Sequence, residues 1–233
     1  MASLPPPRCA ISLRHRRRLV LLLVIAASTA AQAAATVGDD SDAAAAASPP
    51  ANNAFLRDRC ATTLYPALCY DSLLPYAGTF RTSRARLAGV AAGVAAARLR
   101  ALAARVKELL HRGGPEAAGG GRPSEAAALR DCQSTVSAAA SLAKQSSAEL
   151  AGLDDATETT NSAGGSSSRE RRWKVSNART WLSAAMTDEG TCTDGLEEAG
   201  AVESPAGKEV AAGVATVKQF TSIALALVGG ILV

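Results

Sequence analysis

The 233-residue chain contains little histidine and few aromatic residues: two histidines, with aromatic residues at 3% of the sequence. Catalysis by general acid–base or nucleophilic routes usually depends on a histidine, a pair of carboxylates or an activated thiol. One of the two histidines, His111, stands beside Arg112 at the predicted end of a helix, where a surface cation is favourable. We therefore predict no catalytic residue and no cofactor, and we expect that the chain is not an enzyme.

The N-terminal segment joins basic residues to a short apolar run. Four arginines between residues 14 and 18 precede the nine apolar residues 19–27, whereas a bilayer span needs about 20. This pattern is typical of a secretory signal peptide, and the small residues at 31 and 33 fit its cleavage site. We predict that residues 1–33 are removed and that the remaining chain is secreted, with no membrane span. The apolar tail 222–233 continues a helical stripe, and the alternative for it is a lipid-anchor signal.

Charge is nearly balanced once this segment is set aside. The whole chain carries a net charge of +4, but residues 1–33 contain five basic residues and no acidic one, which leaves −1 for the remainder. Nucleic-acid-binding domains usually present a basic face on the folded domain. We therefore exclude nucleic acid as a partner.

Four cysteines follow the N-terminal segment, at positions 60, 69, 132 and 192. An even number of cysteines in an exported chain indicates a disulfide framework, because the exported compartment is oxidising. Four cysteines allow three pairings. The short separation of Cys60 and Cys69 favours a bond between them, which leaves Cys132 paired with Cys192. The alternative is a zinc site, but the spacing is wrong for zinc and no histidine lies near, so we predict no metal site.

Two different patterns precede the main body of the chain. Residues 34–53 are mainly alanine, proline and small polar residues without periodicity, which predicts a disordered lead-in. Residues 54–80 contain the three tyrosines of the chain, and Pro66 and Pro75 divide this segment into short pieces. We predict a small helical hairpin here, at the start of a single domain that covers residues 54–233.

Apolar residues three and four apart recur through residues 81–233, which favours helix over strand. Cys132 lies on the apolar seam of one helical pattern, and Cys192 continues the seam of the next one, just beyond Gly190. Connectors rich in glycine, proline and serine separate the patterns. The sequence therefore predicts an all-α, antiparallel up-down four-helix bundle. The predicted helices are 83–111, 124–153, 172–189 and 205–232, and the two flexible connectors are 112–122 and 154–170.

Charged residues are unevenly distributed over the bundle. Eight basic residues lie between positions 81 and 112, whereas six acidic residues lie between 188 and 203. Two solvated faces would explain this distribution, and so would electrostatic docking to a charged protein partner. Our candidates for contact with a partner are Thr180 and the acidic corner that Asp188, Glu189 and Asp194 are predicted to form.

Three motifs place all four cysteines in context. They are CATTLYPALCYDSL (60–73), ALRDC (128–132) and TWLSAAMTDEGTCTDGL (180–196). These motifs resemble the plant invertase and pectin methylesterase inhibitor family, and FTSIALALV (220–228) is similar to its closing helix. The resemblance implies a secreted bundle of the apoplast or cell wall, with disulfides that join the first cysteine to the second and the third to the fourth. It also implies inhibition of a cell-wall enzyme by a reversible complex that covers the active-site cleft, and we expect a monomer.

Finer features of the same motifs favour one target enzyme over the other. TWLSAAMT followed by TCTDGL resembles the pectin methylesterase inhibitor branch more than the invertase branch, and the Pro-Lys-Phe signature of invertase inhibitors is absent. We therefore expect pectin methylesterase as the partner, with a cell-wall or vacuolar acid invertase as the alternative. A secreted structural or signalling bundle without an enzyme target is a further alternative. The long connector 154–170 departs from the family pattern.

Overall fold

The part of the chain that this computed structural model describes, residues 49–112, 122–151, 153 and 164–231, contains helices and turns and no strand. Short helices come first and four long helices follow. The short elements are α1 (Pro49–Cys60), α2 (Pro66–Leu73), the 3-10 turn Leu74–Tyr76 and α3 (Ala77–Phe80). The long helices are α4 (Arg84–Arg112), α5 (Pro123–Ala151), α6 (Gly164–Glu198) and α7 (Pro205–Gly229), with a 3-10 turn at Ala201–Glu203 before α7.

The four long helices form a closed antiparallel bundle, in which α4 contacts α5 and α7, and α6 contacts the same two helices. Contacts between the end of one helix and the start of its neighbour show that these helices are antiparallel. The hydroxyl of Ser147, near the end of α5, donates to the carbonyl oxygen of Gly89, near the start of α4, at 2.8 Å. The guanidinium of Arg105, near the end of α4, donates to Glu209, near the start of α7, at 2.5 Å. The predicted four-helix bundle with an N-terminal hairpin is confirmed.

Alanine fills much of the core. On α4, for example, Ala88, Ala92 and Ala95 are completely buried. Small side chains let the helices approach closely, and a Cβ placed on Gly89 would lie 3.4 Å from the Cβ of Leu150 on α5. An alanine removes less apolar area from water than a leucine or valine does, so burial stabilises this core less per residue.

Helix α1 begins earlier than the sequence predicts. The prediction of a disordered lead-in over 34–53 is wrong for residues 49–53, which form the first turn of α1. Prolines suit a first turn because the N–H they lack has no helical partner there, and Asn52 and Leu56 bury one side of the helix. The predicted signal peptide, the rest of the lead-in, and residues 113–121 and 154–163 of the connectors lie outside the described residues.

Helix α6 is much longer than predicted. It has 35 residues, whereas the sequence predicts a helix over 172–189 that stops before Gly190. The buried stripe continues through Glu189, Cys192 and Leu196, and this packing outweighs the roughly 1 kcal/mol that a helical glycine costs. Residues 164–170, predicted as connector, form the start of the helix. The other three long helices begin and end within three residues of the prediction.

Both predicted disulfides are present. Cys60 at the end of α1 is bonded to Cys69 in α2, and Cys132 in α5 is bonded to Cys192 in α6. All four cysteines are buried. The first bond closes the hairpin, and the second joins two neighbouring core helices.

Two helices, α4 and α7, are long and apolar enough to cross a membrane by length and composition. Each buries about half of its apolar stretch against the rest of the protein, and both are members of the bundle. The prediction that the chain has no membrane span stays a prediction.

Removing the two disulfides separately should have unequal effects. The Cys132–Cys192 bond closes a separation of 60 residues and the Cys60–Cys69 bond one of 9, which in the chain-entropy account gives about 4 and about 2.5 kcal/mol of stabilisation. We expect the variant with Cys132→Ser and Cys192→Ser to unfold at a lower urea concentration than the variant with Cys60→Ser and Cys69→Ser. Neither variant carries a free thiol from a broken pair. Equal losses, or the reverse order, would show that the hairpin rather than the α5–α6 contact limits stability.

Candidate functional site

Helix α6 presents one continuous exposed stripe to solvent. Its core side is marked by Val175, Ala178, Leu182 and Ala185, which are buried at spacings of three and four residues. Residues half a turn away from these form the opposite side, which we call the outer face of α6. The outer face consists of Arg169, Arg172, Trp173, Ser176, Arg179, Thr180, Ser183, Thr187, Thr191, Asp194 and Glu198, all of them exposed.

The side chains in the middle of the outer face are small, and the threonine hydroxyls among them are already hydrogen-bonded. Thr180, Thr187 and Thr191 each donate their hydroxyl to the backbone carbonyl one turn earlier, at 3.0, 3.2 and 3.0 Å. Because these hydroxyls have partners within the helix, covering them leaves few polar groups unpaired. Short side chains also allow another backbone or a flat surface to approach closely. This stretch is suited to contact with a macromolecule.

The two ends of the outer face carry opposite charge. Arg169, Arg172, Trp173 and Arg179 lie at the N-terminal end, whereas Asp194 and Glu198 lie at the C-terminal end. The last turn of α6 has no basic residue, and a carboxylate there is unfavourable beside the negative end of the helix dipole. The acidic end therefore adds nothing to the stability of the helix.

The predicted acidic corner is not a single patch. Thr180 and Asp194 are exposed on the outer face, Asp188 is half-buried on a flank, and Glu189 is completely buried. The prediction that Glu189 lies on the surface is wrong. Successive residues of a helix point about 100° apart, and since α6 continues through Gly190, the three carboxylates point in different directions.

Glu189 sits between α6 and α7 with one polar contact. The hydroxyl of Thr221 donates to Oε1 at 2.5 Å, and Oε2 has no hydrogen-bond partner among the described residues. Burial raises the pKa of Glu189 to about 7, partly opposed by the Thr221 hydrogen bond and by Lys218, while Asp188 adds to the rise. Burial also raises the pKa of Asp188. The contact between α6 and α7 is thus sensitive to pH in the acidic to neutral range.

The described residues offer no alternative site with catalytic chemistry. They hold no group of three metal-ligating side chains, and the cysteines at 60, 69, 132 and 192 are consumed in disulfides. A groove of about 630 Å³ runs along α4 beside the hairpin, lined there largely by glycine, alanine and valine. The outer face of α6 is the strongest candidate because charge, an exposed aromatic ring and a flat polar stretch occur together on it.

Arg169 and Trp173 are not among the candidate residues predicted from the sequence. The segment up to residue 170 is predicted as a flexible connector, so Arg169 is not placed on a helix, whereas Trp173 lies within the predicted helix 172–189 and its position opposite the buried stripe is not used. The signal that would have found them is the spacing of Arg169, Trp173, Ser176 and Thr180, which matches one face of a helix and continues into the motif TWLSAAMT.

Comparison with known proteins gives consistent results. A family model described as plant invertase/pectin methylesterase inhibitor matches residues 54–227. The chain is 34% identical over 176 residues to a 21 kDa protein of Daucus carota, a match that covers 76% of this chain and 82% of the carrot protein. It is 33% identical over 178 residues to pectinesterase inhibitor 9 of Arabidopsis thaliana, covering 76% of this chain and 80% of that protein.

Among solved structures, a mutant form of a pectin methylesterase inhibitor from Arabidopsis superposes with a TM-score of 0.52. The match covers 74% of this chain and 94% of that one, at 18% sequence identity. At this identity the likeness supports the shared fold alone. The family match includes all of the outer face of α6.

The titration of Glu189 gives a testable pH dependence. Its pKa is about 7 in the folded protein against an ordinary value of 4.5, so the folded state holds the proton more tightly. Its contribution to stability is full below about pH 4.5 and is lost as the pH rises through 7, by roughly 3 kcal/mol at most. Glu189→Gln keeps the size of the side chain and an acceptor for Thr221.

We expect the stability difference between the wild type and Glu189→Gln to shift in favour of Gln as the pH rises from about 4.5 to about 8. Urea unfolding at both pH values measures it, and Glu198→Gln, which alters an exposed carboxylate, should show no comparable shift. A pH-independent difference between the wild type and Glu189→Gln would contradict this account of the buried carboxyl.

Proposed function

The chain belongs to the plant invertase/pectin methylesterase inhibitor family, and we propose that it inhibits a pectin methylesterase through a reversible complex that covers the enzyme's active-site cleft. The single observation that carries the proposal is the outer face of α6, a continuous exposed surface on a chain whose relatives include a pectinesterase inhibitor. We place its action outside the cell, in the apoplast or cell wall, as a monomer that binds one enzyme molecule.

A reversible complex agrees with the chemistry of the chain. The four cysteines at 60, 69, 132 and 192 are closed in disulfides, so none of them is free to form a covalent bond with an enzyme. Binding then depends on noncovalent contacts, and its strength depends on how much freedom is lost on association. The outer face loses little, because it lies on one helix that a disulfide fixes to its neighbour.

The outer face alone is smaller than a standard interface between two proteins. From Arg169 to Glu198 it is about 44 Å long at the helical rise of 1.5 Å per residue, and a helix with its side chains is about 10 Å wide. This gives roughly 400 Å², whereas a standard interface buries about 800 Å² on each partner. We therefore propose that the contact extends from α6 onto a neighbouring helix of the bundle, such as α5.

Charge at the acidic end supports an enzyme partner with a basic surface. Asp194 and Glu198 lie one turn apart on the outer face, and Glu197 is exposed beside them. Opposite charges increase the rate of encounter and make the affinity fall as salt is added. Thr180, in the middle of the face, is proposed as a contact of the flat stretch, and half-buried Asp188 as a contact at its edge.

Neutralising the acidic end should weaken inhibition. We expect a variant with Asp194→Asn and Glu198→Gln to inhibit a purified basic pectin methylesterase several-fold more weakly than the wild type at about 0.02 M salt, with a smaller difference at about 0.3 M salt. The matched control replaces two exposed carboxylates of the hairpin, with Asp58→Asn and Asp71→Asn. Inhibition constants at both salt concentrations provide the measurement.

The same preparations are assayed in parallel against an acid invertase. If the wild type inhibits neither enzyme, the proposed function is wrong, and if it inhibits invertase alone, the target is wrong. If the control variant loses as much inhibition as the outer-face variant, the loss is not specific to the acidic end of α6, and the proposed contact of that end with the enzyme is wrong.

A further inference from the structure

The N-terminal half of the outer face carries a second, basic surface. Trp173 is 67% exposed, an unusual position for the largest apolar side chain in a domain whose core consists mainly of alanine and leucine. Arg169 lies one turn before it, Arg172 directly before it, and Ser176 one turn after it, all exposed. We call Arg169, Arg172, Trp173 and Arg179 the basic aromatic patch.

The stability of the fold does not explain why these charged and aromatic side chains lie at this end of α6. Within the described part of the chain, the ion pairs and hydrogen bonds of α6 involve other residues, and the nearby pair Lys174–Glu170, at 3.0 Å, lies on the flank of the helix. Positive charges in the first half of a helix gain nothing from its dipole, whose positive end is at the N-terminus. The indole ring of Trp173 likewise contributes little to the core at this exposure.

The geometry points to a ligand that is linear, flat-faced and acidic. The three arginines extend over 10 residues, about 15 Å along the helix axis. Arg169 lies on the same side of the helix as the indole ring, and Arg172 and Arg179 follow one edge of the outer face beside it. A guanidinium binds a carboxylate through two parallel hydrogen bonds, and an indole offers a flat apolar face on which the C–H face of a sugar ring can lie. A chain of acidic sugars presents carboxylates and flat C–H faces in alternation.

We propose that the basic aromatic patch binds a short stretch of polyuronate, the de-esterified form of pectin. The choice of this polyanion rests on the proposed function, because a pectin methylesterase converts methyl esters of that polysaccharide into carboxylates. The inhibitor would then be retained where its target enzyme has already acted. Methyl-esterified pectin lacks the charges that the arginines recognise and should not be held.

Other polyanions fit the outer face less well. The acidic end with Asp194 and Glu198 lies about 30 Å further along the same helix, so a long, stiff duplex lying along the face would meet repulsion there. An anionic membrane is bound by helices with a broad apolar face, whereas Trp173 is a single large apolar residue among arginines and hydroxyls. A flexible stretch of a few sugars occupies the basic end alone.

Binding is measured with the secreted chain and purified polygalacturonate, by calorimetry for every variant and by tryptophan fluorescence for the variants that keep Trp173. Two variants test the patch: Trp173→Ala, and a triple variant with Arg169→Gln, Arg172→Gln and Arg179→Gln. The matched control removes the same charge from exposed positions on α4 and α5, with Arg100→Gln, Lys107→Gln and Lys144→Gln. We expect binding of the triple variant to weaken by about tenfold or more at low salt, with a clear loss for Trp173→Ala and little loss for the control.

Inhibition of pectin methylesterase by the wild type, measured on the same preparation, separates this inference from the proposed function. Loss of polygalacturonate binding in Trp173→Ala and in the triple variant supports the patch, and absence of inhibition by the wild type would remove the proposed function without affecting the binding result. The inference is overturned if the wild type does not bind polygalacturonate, if fully methyl-esterified pectin binds equally well, or if the control loses as much binding as the triple variant. Tighter binding to duplex DNA or to anionic vesicles would also overturn it.

Discussion

The disulfide between Cys132 and Cys192 is the constraint on which the rest of the structure depends. It joins α5 to α6 in a bundle whose core contains many alanines, where burial of side chains stabilises each helix contact only modestly. The bond lies two residues from Asp194, so it also fixes the position of the outer face of α6. Stability and the proposed recognition are therefore linked at one point: the cross-link that compensates for a small core also holds the proposed binding surface in place.

Most of the fold follows from patterns that the sequence makes visible. Periodic apolar residues predict the four long helices, and the short separation of Cys60 and Cys69 predicts the pairing of all four cysteines. The sequence predicts helix boundaries before Arg172 and at Gly190 that the structure does not have, because local composition favours a break at both places. At Gly190 the packing of Cys192 and Leu196 continues the helix. The connector predicted up to residue 170 hides that Arg169 shares the outer face with Trp173. Glu189 lies within the predicted helix, four residues after Ala185 on its buried stripe, and its surface position is predicted only from its charge.

The charges on α6 do not suit the dipole of the helix, and we propose that they serve recognition. Basic residues lie toward its positive end and acidic residues at its negative end, opposite to the arrangement that the helix dipole favours. Between them, hydroxyls that are satisfied by the backbone form a flat stretch that can be covered at low cost. This distribution suits a protein that binds through one face, with an acidic end for a basic enzyme and a basic end for an acidic polysaccharide.

The central claim is that the outer face of α6 contacts the enzyme, and site-specific photo-crosslinking tests it most directly. Thr187 on α6 and Thr216 on α7 are matched positions, since both are exposed and each donates its hydroxyl to the carbonyl one turn earlier. A photoreactive residue placed at 187 should crosslink to pectin methylesterase, and the same residue at 216 should not. Crosslinking from 216 without crosslinking from 187 would contradict the account.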